Sequence, residues 1–399
     1  MAKQDVLQVS IDVGSDHHWV KVGRQGRELR TFQIPHTSRG FDRFFEEIAR
    51  HRRGDHEEVW VLMEGSGGWL RPLDGLIQRR GHTLFGINHC KAARFREAFA
   101  GPAKTDDLDA GRGLQLLELR RHWGSPGTVC EPVHRAPSAL RHLRALTQRR
   151  RRLVQDRTRL IAQLQAHLQA VCPGLLSMTG RLDNLWFLNF LKFRPQLDQL
   201  RRLRPATVLK IAGVGQQRAA AIARWQGDAE VSEDATWMSP LVQADVARLA
   251  QLRLEILQLE KRLPQVGAQC HLFPLLLSIP GFGIIAAAEL SAEIGPLQRF
   301  ETSNALALYL GVAPLDYSSG KRSGSRRARL VNRTAKNALC QATGRHRRLV
   351  DQSRRFYERK MQQNGGRYAK TIRALARYLV RVIWSMAKND REYEIQAGA

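Results

Sequence analysis

Hydrophobic and polar positions alternate from the start of the chain. Leu7, Val9, Ile11 and Val13 are separated by Gln8, Ser10 and Asp12, the period of two expected of a strand with one face in a core. Asp12 falls on the polar face. Residues 19–22 and 29–34 are again strand-like, and Gly14, Gly23 and Gly26 supply turns, which predicts a three-stranded antiparallel meander. The period then lengthens: Phe41, Phe44, Phe45 and Ile48 mark the apolar stripe of a helix that Thr37 or Ser38 can cap. Residues 59–63 are apolar without a break, typical of a central strand covered on both faces, and they end at Glu64 before Gly65-Ser66-Gly67-Gly68. That puts a carboxylate at the C-terminal end of a strand, a usual site position in α/β sheets. A helix over 69–80, a strand over 83–87 and further helix complete the order β-β-β-α-β-α-β-α, an α/β domain over residues 1–125.

Heptad-like spacing takes over next. Leu146, Leu153 and Leu160 stand seven apart and continue at Leu164 and Leu168, while Val246, Leu249, Leu252, Ile256, Leu259 and Leu263 step mostly by three and four. Residues 126–265 are therefore expected to hold two long helices paired as a coiled-coil arm, either a hairpin within one chain or a dimerisation arm. Ile211-Ala212-Gly213-Val214-Gly215 and Ile279-Pro280-Gly281-Phe282-Gly283 each run into a small-residue helix. They resemble helix-hairpin-helix units, whose turn amides meet a phosphate at a helix N-terminus. The second copy is the clearer one; the first also reads as a tight helix turn. Residues 266–399 read as mostly helical. The uncharged stretch 266–288 is long enough to span a bilayer, but Pro274, Pro280, Gly281 and Gly283 interrupt it, so no membrane segment is expected.

Charge changes the picture more than composition does. The net charge is +27, a field that condenses on polyphosphates, and it is unevenly placed: residues 1–125 carry about +3 and the remainder about +24. A near-neutral front that concentrates acids can hold metal ions, and a cationic rear can neutralise phosphates. The five cysteines are scattered without metal or disulfide spacing and read as reduced thiols. With no signal-peptide pattern at the start, a cytoplasmic, nucleoid-associated protein is expected.

The candidate chemistry lies in both parts. In Lys104-Thr105-Asp106-Asp107-Leu108-Asp109-Ala110, Asp106 and Asp109 are three apart and share a helix face, whereas Asp107 points elsewhere. Asp12, Glu64, Asp106 and Asp109 can thus converge. Four hard oxygen ligands without a histidine or cysteine cluster suit Mg²⁺, and paired ions of this kind serve phosphoryl transfer. In the rear, Ser318-Ser319-Gly320 opens a stretch from Tyr317 to Val350 with ten basic residues and no acid. Lys321, Arg322, Arg326, Arg327, Arg329 and Arg333 are its candidate phosphate contacts. Ser-Ser-Gly alone is most often a plain turn; the surrounding positive field is what would favour a serine alkoxide.

Taken together, Ile11-Asp12-Val13, Met63-Glu64-Gly65, Lys104-Thr105-Asp106 with Asp109-Ala110, Pro280-Gly281 with Gly283, Leu310-Gly311 with Pro314, and Ser318-Ser319-Gly320 resemble the DEDD-type insertion-sequence transposases. That family includes the pilin-gene invertases and the bridge-RNA-guided recombinases. The resemblance runs from about residue 5 to about residue 350. It implies a RuvC-like, RNase H-fold domain with Asp12, Glu64, Asp106 and Asp109 as its acidic quartet, a coiled coil, and over 266–399 a transposase domain whose catalytic serine matches Ser319. It further implies a phosphoserine intermediate, Mg²⁺, double-stranded DNA and a structured guide RNA as partners, and a dimer or tetramer with composite sites. Asp107 and Ser318 leave the register of each motif open, and the segment after residue 350 matches nothing in the resemblance. The alternative is a RuvC-like nuclease that uses activated water and no serine.

Overall fold

The computed structural model describes residues 5–64, 71–87, 93, 95, 97, 106–123, 130–320, 322–328 and 331–395, with positions 64, 106, 123, 322, 323, 325 and 327 described as backbone. The chain forms two compact units, Met1–Ala136 and Pro137–Ala399.

The first unit is a six-stranded mixed sheet in the order β3-β2-β1-β4-β5-β6. The strands β1 (Val6–Val13), β2 (His17–Arg24) and β3 (Arg27–Pro35) form the expected antiparallel meander. Helix α1 (Ser38–His51) follows, with the Thr37 hydroxyl accepting the Gly40 amide at 3.1 Å as its N-cap. Strands β4 (Glu58–Glu64) and β5 (Thr83–Ile87), linked through α2 (Pro72–Arg79), continue the sheet in parallel. Helix α3 (Asp106–Trp123) leads to a short antiparallel edge strand, β6 (Cys130–Pro132), which hydrophobic periodicity did not announce. Phe44, Phe45, Ile48, Leu73 and Ile77 of α1 and α2 cover one face of the sheet, over Leu7, Val9 and Ile11.

The other face corrects a simple reading of the alternation in β1. Gln8 and Ser10, polar and out of phase with the core, are also buried, because α3 lies across them. Gln8 donates to Glu118 of α3 at 2.6 Å and accepts the Gly26 amide of the β2–β3 turn at 2.9 Å. The polar face of β1 is thus a helix-docking face, and Asp12 stands at the end of it.

In the second unit, α4 (Ser138–Val171) pairs with α9 (Ala235–Gly267). Arg149 bridges to Glu255 at 3.3 Å and His167 to Asp245 at 2.9 Å. The rising number in one helix meets a falling number in the other, so the pair is antiparallel and closes within the chain. The segment between them folds back as α5 (Leu185–Lys192), α6 (Leu197–Arg201), α7 (Pro205–Val208) and α8 (Gln216–Asp228). Trp186, Phe187, Phe190 and Trp225 pack with Leu164, Leu168, Val242 and Val246 in a shared core. Then come α10 (Leu272–Ser278), α11 (Ile284–Ile294), α12 (Ser303–Tyr309), a two-stranded sheet of β7 (Pro314–Ser319) and β8 (Arg322–Arg327), and α13 (Arg333–Leu349), α14 (Asp351–Gln363) and α15 (Tyr368–Asn389). No helix among the described residues is long and apolar enough to cross a membrane.

Part of the rear's positive charge is neutralised inside the unit. The basic run in α4 faces acids of α9 and α11: Arg150 reaches Glu260 at 2.7 Å, and Arg151 reaches the buried Glu289 at 2.6 Å. Those arginines serve packing, because a carboxylate as buried as Glu289 needs a charged partner.

Candidate active site

The acidic site is assembled by the register of the sheet. Ile11 of β1 pairs with Met63 of β4 in parallel, so the residues that follow, Asp12 and Glu64, end neighbouring strands at the same edge. Glu64 in turn pairs with Ile87 of β5. Helix α3 brings the third element. Gly113 packs on Ser10 so closely that a Cβ there would fall 1.9 Å from the serine Oγ, and this contact sets how near α3 comes to β1. Beside it, Ser10, Asp12, Leu62, Asp109, Arg112 and Leu116 line one cavity of about 40 Å³.

Asp12 and Asp109 therefore share a cleft. The side chains of Glu64 and Asp106 lie outside the described residues, and among the described residues no group of three or more histidine, cysteine, aspartate or glutamate side chains gathers as a metal set. Asp107 goes the other way: its carboxylate pairs with the buried Lys21 Nζ at 2.9 Å, which also meets Glu28 at 2.7 Å. Burial of Lys21 opposes its charge, but the hydrogen bonds it donates to Glu28 and Asp107 outweigh it and lift the amine above its ordinary range. Asp109 pairs with Arg112 at 3.1 Å at the cleft. A cavity of this size accommodates an ion or a water or two, and its carboxylate donors are those a hard divalent cation prefers.

Ser319 lies in the second unit, and its setting differs from the loop expected of it. It is the last residue of β7, opposite Arg322, and is followed by Gly320 at φ +56°. Leu315, Tyr317 and Ser319 share one face of this hairpin with Arg326, whose guanidinium stacks on Tyr317 at 4.1 Å. Asp316 and Ser318 share the opposite face. By register Arg322 and Arg326 fall on the face of Ser319, whereas Asp316 and Arg327 fall on that of Ser318. Arg333 is exposed at the start of α13. Lys321 and Arg329 lie outside the described residues, as do the side chains of Arg322 and Arg327.

The two glycine turns have the same backbone. Gly213 and Gly281 take φ of +86° and +88°, and Gly215 and Gly283 are extended N-caps of α8 and α11. The first copy is therefore built like the second. At Gly281 a Cβ would meet the His346 backbone amide at 2.6 Å, and His346 Nδ1 lies 2.7 Å from the Pro280 carbonyl, so α13 packs on one side of that turn. Gly283 faces open space.

Two stretches of the sequence match known protein families. Residues 9–173 match the model of a transposase family of the DEDD, IS110 type, and residues 274–358 match one described as the transposase IS116/IS110/IS902 family. The chain is 25% identical to an uncharacterized 44.8 kDa protein of insertion element IS116 from Streptomyces clavuligerus, over 98% of this chain and 96% of that one. It is 26% identical to an uncharacterized 42 kDa protein of insertion element IS900 from Mycobacterium paratuberculosis, over 96% of each.

Proposed function

Because the chain belongs to the IS116/IS110/IS902 family of transposases, and is thereby an enzyme that cleaves and rejoins DNA, we propose that it does so through a phosphoserine at Ser319 assisted by an acidic quartet of Asp12, Glu64, Asp106 and Asp109. Residues 1–125 act as a RuvC-like, RNase H-fold domain; the strand order 3-2-1-4-5 with β2 antiparallel to β1 supports that reading. Residues 126–265 form the helical arm, and residues 266–399 carry the serine and the nucleic-acid contacts, Gly281, Gly283 and the cations of the β8–α13 stretch among them. The partners are double-stranded DNA, a structured guide RNA and further copies of the chain, each completing another's site.

One observation carries the proposal: Asp12 and Asp109, from distant stretches of sequence, line a single cleft at the strand end where Glu64 also stops. Asp12, Glu64, Asp106 and Asp109 would hold Mg²⁺, which when bound supplies charge stabilisation to the non-bridging phosphate oxygens. The chain's own work is otherwise local. Arg326 and its neighbours draw a phosphodiester to the hairpin face that bears Ser319. The Ser319 oxygen bonds to phosphorus as one deoxyribose oxygen leaves and takes a proton, and rejoining reverses the exchange without loss of a phosphodiester. Lys21 removes Asp107 from competition for the cleft.

The test is a denaturing search for protein-bound DNA. The protein with its co-purifying RNA is incubated with Mg²⁺ and DNA spanning an element junction. A covalent adduct that maps to Ser319 and vanishes in Ser319→Ala is expected, and Asp12→Asn is expected to abolish the adduct while leaving DNA binding within about two-fold. Nicking that persists in Ser319→Ala without an adduct would instead identify a hydrolytic nuclease.

A further inference from the structure

A second site lies at the root of the serine hairpin, largely in the part of the chain the sequence resemblance did not reach. A cavity of about 690 Å³ is lined by the 311–314 loop, Arg326 of β8, and helices α14 and α15. Most of it lies beyond residue 358, where the second family match ends. Along α15, Lys370, Arg373, Arg377 and Arg381 line the cavity. Their steps of three, four and four put them on one helix stripe, while Ile372, Leu375, Leu379 and Ile383 bury the opposite one. Lys360 of α14 and Arg367, the N-cap of α15, add to the same wall. Among the described residues no carboxylate lines it. Cations gathered this closely repel one another, and a polyanion relieves that repulsion.

Aromatic rings in the same wall decide between forms of nucleic acid. Phe356 and Tyr378 both line the cavity and stack on each other with centroids 5.7 Å apart and planes 27° apart, and Tyr378 is 40% exposed. A duplex offers such a ring no base face, whereas an unpaired strand does. We propose that the α14–α15 cleft grips a single-stranded nucleic-acid segment, with phosphates along the α15 stripe and a base on Tyr378. Its position gives that grip a use. Leu315 pairs with Arg326 at the cleft, and Ser319 lies four residues further along β7, roughly 13 Å away at strand rise, so a held strand can be led towards the serine. That use rests on the serine reading above; the binding does not.

The test measures binding of full-length protein to fluorescent oligothymidylate, oligouridylate and a blunt duplex, each of about a dozen nucleotides. Arg367→Gln with Arg381→Gln is expected to weaken single-strand binding about ten-fold near 0.1 M salt and to flatten the log–log salt slope by about 1.4, the release expected for two phosphate contacts. Tyr378→Ala is expected to cost about ten-fold, and Tyr378→Phe almost nothing, since the ring is kept. Arg202→Gln with Arg248→Gln, exposed positions away from the cleft, removes equal charge as the control. Melting curves matching wild type establish that each variant is folded. Single-strand binding unchanged in the cleft variants, or equal weakening of strand and duplex, overturns the proposal. Tighter oligothymidylate than oligouridylate binding names a DNA strand as the occupant, and the reverse order names an RNA; either result supports the cleft. Absence of a serine adduct in the wild-type protein would defeat the serine reading and leave these binding results standing.

Discussion

His18 shows how one side chain ties the stability of the fold to pH. It sits on β2 opposite Val13, one residue past Asp12, buried, with Nδ1 unpartnered and its ring centroid 4.0 Å from that of His36. Burial, and then the charges of His36 and Arg71, hold its pKa down at about 4, against 6.5 in the unfolded chain. The unfolded chain therefore takes up a proton below pH 6.5 that the folded chain refuses until about pH 4. Stability is whole above pH 6.5 and falls as the pH drops through that window, by about 3 kcal/mol in all. Urea unfolding at pH 7 and pH 5 should show the loss, and His18→Gln should flatten it; an unchanged pH dependence in the variant would assign the loss elsewhere. None of this is legible in the sequence, where His17-His18 is merely a polar pair between strands. Asp12 was legible because alternation put it on the polar face of a strand. That the same face is buried was not, since a pattern of two periods does not say what lies over the polar side.

Among the elements, the packing of α3 on β1 governs the distance between the two visible carboxylates. Gly113 is the contact: with Ser10 Oγ 1.9 Å and Ser10 Cβ 2.8 Å from where its Cβ would stand, any side chain there lifts the helix off the strand. Gly113→Ala is expected to destabilise the protein by roughly 1–3 kcal/mol, the usual cost of overpacking, and to depress DNA cleavage as Asp109 moves from Asp12. Ser10→Gly added to it should restore part of both, in melting temperature and in cleavage rate; a double variant no better than the single would refute the contact as the cause. The long elements could be read from periodicity alone: the meander, α1, β4, and the pair of long helices whose leucines step by sevens. The short ones could not. In β8 the sequence Arg-Ser-Gly-Ser-Arg-Arg has no apolar alternation, and β6 is three residues long. Only pairing with a neighbour makes strands of them, and that is information held elsewhere in the chain. The α15 stripe was open to reading, with Lys370, Arg373, Arg377 and Arg381 spaced as one helix face, but its meaning depends on Lys360 and Arg326 arriving from other elements.

For the whole molecule, the division of charge survives in altered form. The near-neutral front does house the acidic cleft, while the strongly positive rear separates into arginines of α4 that neutralise acids of α9 and α11 and arginines that remain on open surfaces. The difference lies in the acids opposite, which composition cannot place. Among the described residues, none of the hairpin that bears Ser319 belongs to a hydrophobic core cluster. Its first strand is largely exposed, and it touches little besides its own partner strand; two strands alone are marginally stable in water. On the proposed reading, the nucleophilic serine thus rides on the part of the protein that cohesion protects least. On warming, DNA-cleaving activity should disappear several degrees below the loss of helical circular dichroism and return on cooling, whereas coincident transitions would show the hairpin welded to the helices. On that reading, such a chain is disarmed before it is dismantled.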